Sequence, residues 1–341
     1  MFEFLDLNFV WFVLIAILFT GYAILDGFDL GVGALYLLVK DDTDRRILLN
    51  SIGPIWDGNE VWLVTGGGAL FAAFPHAYAT VFSGFYVAFM ILLFVLIFRA
   101  VAIEFRSKHE SKTWRRNWDI AFSVSSILIA LLMGVAMGNV IVGLPVQPDF
   151  EMRTTLFSLL TPYPILVGIT TVALFMMHGA IYLVMKTEGE LQAKVRGWVN
   201  NTIIFFVICY VSTTMVTLTF FPQMIGNIKE YPILFIVPLL NMLAIANIPR
   251  EIHHGREFRA FLSSCASILA LLTLFAIGIF PNIVPAADPA NSLTIYNAAS
   301  SQKTLSIMLL IALIGMPFVV AYTFTIYWIF RGKVKLNKMS Y

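Results

Sequence analysis

Two pairs of acidic residues lie inside otherwise apolar sequence. Asp26 and Asp29 occur in GYAILDGFDLGVGAL, and Asp57 and Glu60 in SIGPIWDGNEVWLVTGGGALFAAFP. Within each pair the spacing is i, i+3, which places both carboxyls on one face of a helix. A carboxylate in a membrane-length segment is costly, and such residues cluster at ion and proton pathways. Two neighbouring carboxylates in a low-dielectric setting cannot both ionise cheaply, so one of each pair is expected to hold and exchange a proton near neutral pH. A structural alternative is that Asp57 and Glu60 sit at the membrane surface paired with Arg45 or Arg46, while Asp26 caps a helix break at Gly27.

Other reactive residue types are sparse. His178 is the one histidine expected inside an apolar run, since His76 falls in a turn and His109, His253 and His254 fall between runs. A haem in a helical bundle needs axial His, Met or Cys ligands on facing helices, and His178 reads as a bundle residue instead. Cys209 and Cys265 both lie in apolar runs and read as small packing residues, with no disulfide framework and no thiolate metal site. Gly66, Gly67 and Gly68 follow no strand and precede no Lys-Ser/Thr, which excludes a phosphate-cradling loop and leaves close packing. Gly27 with Gly31, and Gly134 with Gly138, have the GxxxG spacing that lets helix backbones approach. No catalytic residue and no metal-ligand spacing is expected, so the chain alone does not look like a complete catalyst.

The elements that carry these residues follow from composition. The 341 residues are 59% hydrophobic and 12% charged, against about 45–50% and about 25% in soluble domains. This is the pattern of an all-α polytopic membrane protein, expected as a single integral-membrane domain over residues 1–341. With about 20 apolar residues per span, nine helices are expected, at 8–38, 52–74, 77–103, 119–143, 162–186, 200–221, 231–248, 260–284 and 304–330. The N-terminal stretch is acidic and lacks a basic n-region, so it reads as a retained first helix and not a signal peptide. A net charge of +2 gives no nucleic-acid surface.

Lys and Arg alternate sharply over the nine-helix connections. Nineteen fall on loops one, three, five and seven and the C-terminal tail, and three on the other side. Loop three, counted from Arg99 to Arg116, holds six of them. Cytoplasmic loops carry the excess, so the N-terminus is expected outside and the C-terminus in the cytoplasm. At 1.5 Å per residue, Asp57 then lies roughly 8 Å and Glu60 roughly 12 Å inside the cytoplasmic end of helix two, with Asp26 and Asp29 roughly 14–18 Å deep.

Beyond these acidic stretches, FSGFYVA, FRSKHESKTWRRNWD, MGVAMGN, NNTIIF and ASSQKTLSIM complete a pattern that resembles the second subunit of bacterial cytochrome bd-type quinol oxidases. The resemblance runs the length of the chain and is tightest over its first 120 residues. It implies nine transmembrane helices arranged as two four-helix bundles plus one peripheral helix, in the bacterial cytoplasmic membrane. It implies a first-subunit partner holding two b-type haems and one d-type haem together with the quinol site, and no haem in this chain. It allows a quinone held here as a structural lipid, and a small single-helix third subunit. By motif position it assigns a proton route from the cytoplasm to Asp57, Asp26 and Asp29, with Glu60 less firmly placed. The alternative from a different class is a proton-coupled secondary transporter, because paired carboxylates and glycine-broken helices also build such sites.

Overall fold

The computed structural model describes residues 6–336. The chain begins with α1 (Leu7–Leu35), whose first turn is capped by the Asp6 carboxylate accepting from the Asn8 and Phe9 amides at 3.1 and 3.2 Å. The helix runs unbroken through Asp26, Gly27 and Asp29. Asp26 therefore caps no break. A 3-10 turn over Tyr36–Leu38 leads to the short α2 (Asp42–Ile52), capped by Asp41. Then follow α3 (Trp56–Ala73), α4 (Pro75–Gly84), α5 (Tyr86–Phe105), α6 (Lys112–Val142), α7 (Pro162–Lys186) and α8 (Gly189–Phe220). After these come α9 (Gly226–Glu230), α10 (Ile236–His253), α11 (Glu257–Ile279), strands β1 (Asn282–Val284) and β2 (Leu293–Thr294), and α12 (Gln302–Ile329).

Among the described residues, eight helices are long and apolar enough to cross a membrane. These are α1, α5, α6, α7, α8, α10, α11 and α12, each overlapping an expected span. The helix expected at 52–74 is present as α3 but is not one of the eight, because WDGNE and three glycines dilute its apolar residues. The helix expected at 77–103 is divided at Phe85 into α4 and α5.

Close backbone approaches organise the packing. A Cβ built at Gly31 would lie 1.9 Å from the Phe175 carbonyl oxygen and 2.9 Å from Gly179 Cα, so α1 and α7 cross backbone to backbone. Gly134 and Gly138 do the same for α6, against Gly168 and Pro164 of α7. Both GxxxG expectations hold. The triple glycine differs: Gly66 packs on Phe19, whereas Gly67 and Gly68 face open space. The helix α12 touches the rest of the bundle through α1 and α3, and most of its large apolar side chains, including Phe318, Tyr322 and Phe324, are exposed.

The two ends of the bundle are tied differently. At one end, ion pairs join α2 to the segment around α5 and α6: Arg45 with Asp119 at 2.7 Å, and Arg106 with Asp42 at 2.7 Å. At the other, backbone bonds weave loops together. Leu144 and Ala286 form a β-bridge, Leu144 N–H donates to Pro285 O at 2.8 Å, and Ser300 N–H donates to Ala73 O at 2.8 Å. The connections after α6 and α11 thus form a cap over the helices.

Candidate functional site

One acid from each pair, Asp26 and Glu60, converges on one cation. Asp26 and Asp29 are both fully buried on α1, and Arg99 of α5 is fully buried opposite them. Arg99 grips Asp26 with both terminal nitrogens, Nη2 to Oδ1 at 2.6 Å and Nη1 to Oδ2 at 3.2 Å. The same Nη1 donates to Glu60 Oε1 at 2.6 Å. Planar, forked donors suit this task, and a lysine could not reproduce the geometry. Sequence reasoning placed Arg99 at the start of a basic loop, but it lies within α5. Its signal was visible as a lone arginine in the apolar run YVAFMILLFVLIFRAVAIEF.

Asp29 is held by an amide instead of a cation. Asn59 Nδ2 donates to Asp29 Oδ2 at 2.7 Å and to the Leu25 carbonyl at 3.2 Å, and Asn59 Oδ1 accepts from the Tyr327 hydroxyl at 2.8 Å. Asn59 lies between the two acids of WDGNE and drew no attention in the sequence. Tyr327 on α12, 268 residues away from it, gave no sequence signal at all. Asp29 Oδ1, Arg99 Nε and the Tyr22 hydroxyl are buried without a hydrogen-bond partner in the protein. Such groups are rare in native interiors and concentrate at working sites.

The depth order expected for the two pairs changes. Helix α2 is directed into the bundle, since Ser51 and Ile52 are buried and the Tyr182 hydroxyl of α7 donates to Ser51 O at 2.6 Å. The first turn of α3 therefore starts inside the bundle and not at its surface. Glu60 shares Arg99 with Asp26, and the neighbouring Asn59 reaches Asp29, so Glu60 lies beside the α1 acids and not in a tier outside them. Glu60 pairs with Arg99 and not with Arg45 or Arg46 as the structural alternative had it. Asp57 is exposed on the outer side of α3 and makes no ion pair among the described residues. The structure thus joins three of the four acids and leaves Asp57 apart.

A second charge network lies at the helix ends. Asp119 accepts from Arg106 Nε at 2.5 Å, Arg45 Nη1 at 2.7 Å and the Tyr36 hydroxyl at 2.9 Å. Asp42 accepts from Arg106 Nη2 at 2.7 Å and Arg115 Nη1 at 3.0 Å. Partial burial raises the Asp42 carboxyl, but the Arg106 hydrogen bond and the charges of Arg106, Arg115 and Arg46 outweigh it and hold the group below its ordinary value. Asp119 is nearly inaccessible and serves as the anchor of this latch.

His178 is not placed to ligate a haem. Both ring nitrogens of His178 are engaged, Nε2 with the Ile24 carbonyl at 3.0 Å and Nδ1 with Ser264 Oγ at 2.7 Å. A carbonyl can only accept, so Nε2 carries the proton, and the ring is stacked on Phe261 at 4.9 Å between centroids. Axial ligation would break these contacts. Among the described residues no group of three or more His, Cys, Asp or Glu could hold a metal ion.

The geometry is that of a buried ionic cluster in a helical membrane bundle, and comparison with known proteins identifies the bundle. Residues 7–330 match the family model described as cytochrome bd terminal oxidase subunit II. The chain belongs to that family. It is 35% identical to cytochrome bd-I ubiquinol oxidase subunit 2 of Escherichia coli (strain K12), over 96% of this chain and 95% of that one. It is 33% identical to cytochrome bd ubiquinol oxidase subunit 2 of Bacillus subtilis (strain 168), over 96% and 97%. A solved bd oxidase from Geobacillus thermodenitrificans contains a chain of the same fold, with a TM-score of 0.80, 15% identity and coverage of 96% and 99%. The chain is accordingly a membrane-embedded subunit of a cytochrome bd-type oxidase, an oxidoreductase complex of the respiratory chain, and the transporter alternative is not favoured.

Proposed function

We propose that this chain is the subunit of a quinol-oxidising terminal oxidase that scaffolds a haem-bearing subunit I and supplies it with protons from the cytoplasm for reduction of oxygen to water. Haems b and d belong in this reading to subunit I, which accords with the engaged ring nitrogens of His178. The observation that carries the proton role is the buried cluster in which Asp26 and Glu60 bind the single guanidinium of Arg99, with Asp29 beside Asp26 on α1 and held by Asn59. One cation faces three carboxylates there, so the cluster has capacity to bind protons that an ordinary salt bridge lacks. Asp57 is the member on the open side of α3, free to exchange protons with water or with subunit I.

The orientation that this requires is supported by both ends of the bundle. Arg45 to Asp119 and Arg106 to Asp42 hold the start of α2 and the turn between α5 and α6 at one end. The C-terminal residue of α3, Ala73, meets Ser300 at the opposite end. In this reading α3 crosses in the opposite sense to α5, giving nine spans in one integral-membrane domain with the arginine-rich end in the cytoplasm. Four helices, α1, α3, α5 and α6, then form one bundle, and α7, α8, α10 and α11 the other, with α12 at the side.

Docking of subunit I falls on the open side of α3 and the adjoining apolar side of α5. Gly58, Gly67 and Gly68 on α3 have no atom within contact of a built Cβ, and Val61, Val64, Leu93 and Phe94 are exposed. Such glycines let a partner helix approach closely. The deciding experiment is Asp57→Asn in membranes, with haem content measured alongside oxygen consumption and charge separation. A loss of turnover at full haem loading is the expected result. Wild-type rates at full loading would remove Asp57 from the route.

A further inference from the structure

Away from the acidic cluster, α10 and α11 leave a groove of about 840 Å³ between them on the outer side of the bundle. Its floor is made of small residues, Ala244 and Asn247 from α10 and Ser263, Ala266 and Ala270 from α11. Leucines flank it, with Leu240 and Leu243 on one wall and Leu262 and Leu269 on the other. From Val237 to Arg250 the groove follows α10 for about 20 Å at 1.5 Å per residue. One leaflet of a membrane is about half of a 30 Å hydrocarbon core, so the groove has the length of one lipid chain with room for the start of a headgroup.

The two ends of the groove differ in charge. Arg250 lines it at the end nearest the turn between α10 and α11, and is exposed. Its one side-chain hydrogen bond is to Asn247 Oδ1 at 3.4 Å, and among the described residues it pairs with no carboxylate. The acids nearby are engaged elsewhere: Glu257 with Arg196 at 2.6 Å, and Glu251, which is buried, with Arg256 at 3.9 Å. Asn247 and Ser263 add a polar step just below Arg250, joined by a 2.9 Å hydrogen bond. An apolar channel that ends at an uncompensated guanidinium at headgroup height complements one chemistry. It fits an acyl chain attached to a phosphate.

We infer that this groove is a binding site for one anionic phospholipid, with an acyl chain lying on the alanine floor between α10 and α11 and the phosphodiester on Arg250. Guanidinium pairs with phosphate bidentately, and a headgroup without an ammonium places no second cation beside Arg250, which favours an anionic lipid over a zwitterionic one. The site lies on helices that hold none of the four acids.

The test uses the whole oxidase purified in a mild detergent, with bound lipid read by native mass spectrometry and assembly checked by haem absorbance. Wild type is expected to retain a phosphatidylglycerol and, after delipidation, to regain thermal stability with phosphatidylglycerol but not with phosphatidylethanolamine. Arg250→Gln, a surface change, should cut retention of the anionic lipid at least fivefold at unchanged haem content. Ala266→Phe should fill the floor and abolish retention of either lipid there. The inference is overturned by equal rescue with phosphatidylethanolamine, by unchanged retention in Arg250→Gln, or by finding a quinone or a protein segment in the groove.

Discussion

Two charge networks in this protein are built from the same residue types and are opposite in composition. The one between α1, α3 and α5 sets three carboxylates, Asp26, Asp29 and Glu60, against Arg99. The one at the helix ends sets three arginines, Arg45, Arg106 and Arg115, against Asp119 and Asp42. Where cations are in excess at the helix ends, the network works as a fastener. Where acids are in excess inside the bundle, the network is the one proposed to carry protons.

The sharpest way to break the comparison is to remove each hub. Arg99→Leu strands a buried Asp26, and losing one partner of a buried pair costs about 3–5 kcal/mol. Assembled oxidase, read by haem absorbance of purified complex, should fall to a small fraction of wild type. The double variant Arg99→Leu with Asp26→Leu should recover much of that yield, because no uncompensated charge remains. Asp119→Ala removes the acceptor of three hydrogen bonds and leaves Arg106 half-paired. Its expected cost is about 2–4 kcal/mol, seen as a lowered thermal midpoint, with turnover per haem unchanged in the complex that survives.

Asp29→Asn makes a smaller structural change and a kinetic one. The amide can still meet Asn59, so stability should move by less than about 1 kcal/mol, while a proton route through Asp29 predicts about a tenfold loss of oxygen consumption per haem, or about 1.4 kcal/mol in barrier. An unchanged rate would make the inner network a fastener too. The smallest effect belongs to Asp42, whose side chain is 48% exposed. Its carboxyl is held low by Arg106 and Arg115, so its contribution is complete above the unfolded value near pH about 4 and is lost as pH falls through the lower folded value. Asp42→Asn should cost under about 1 kcal/mol at neutral pH and should remove that part of the acid dependence of thermal stability.

How much of this was legible in the sequence depended on distance along the chain. Helix positions followed from apolar runs, and both GxxxG pairs named their crossings, because these are local patterns. The carboxylates announced themselves by their cost. Their partner Arg99 was in view but was counted with the loop, since the apolar run beside it continues only seven residues further to Arg106. The depth order failed because the sequence does not reveal that α2 turns inward, a consequence of Leu48, Leu49 and Ile52 being buried in the bundle. Tyr327 belongs to another helix altogether, and only the fold brings its hydroxyl to Asn59.

The contacts between α1 and α12 also bear on how the protein is made. Trp11 donates its indole N–H to Leu305 O at 3.0 Å, and Gln302 donates to Asn8 at 2.8 Å, each across 294 residues. Helix α1 therefore waits for α12, translated far later, before the Trp11 indole N–H and the Asn8 side-chain oxygen meet these partners. During insertion α1 would hold two acids with their partners Asn59 and Arg99 still to be translated, and the Tyr327 hydroxyl that holds Asn59 would come much later. Biosynthesis closes the molecule like a clasp, and a ribosome stalled before α12 would leave a membrane intermediate exposed to quality control.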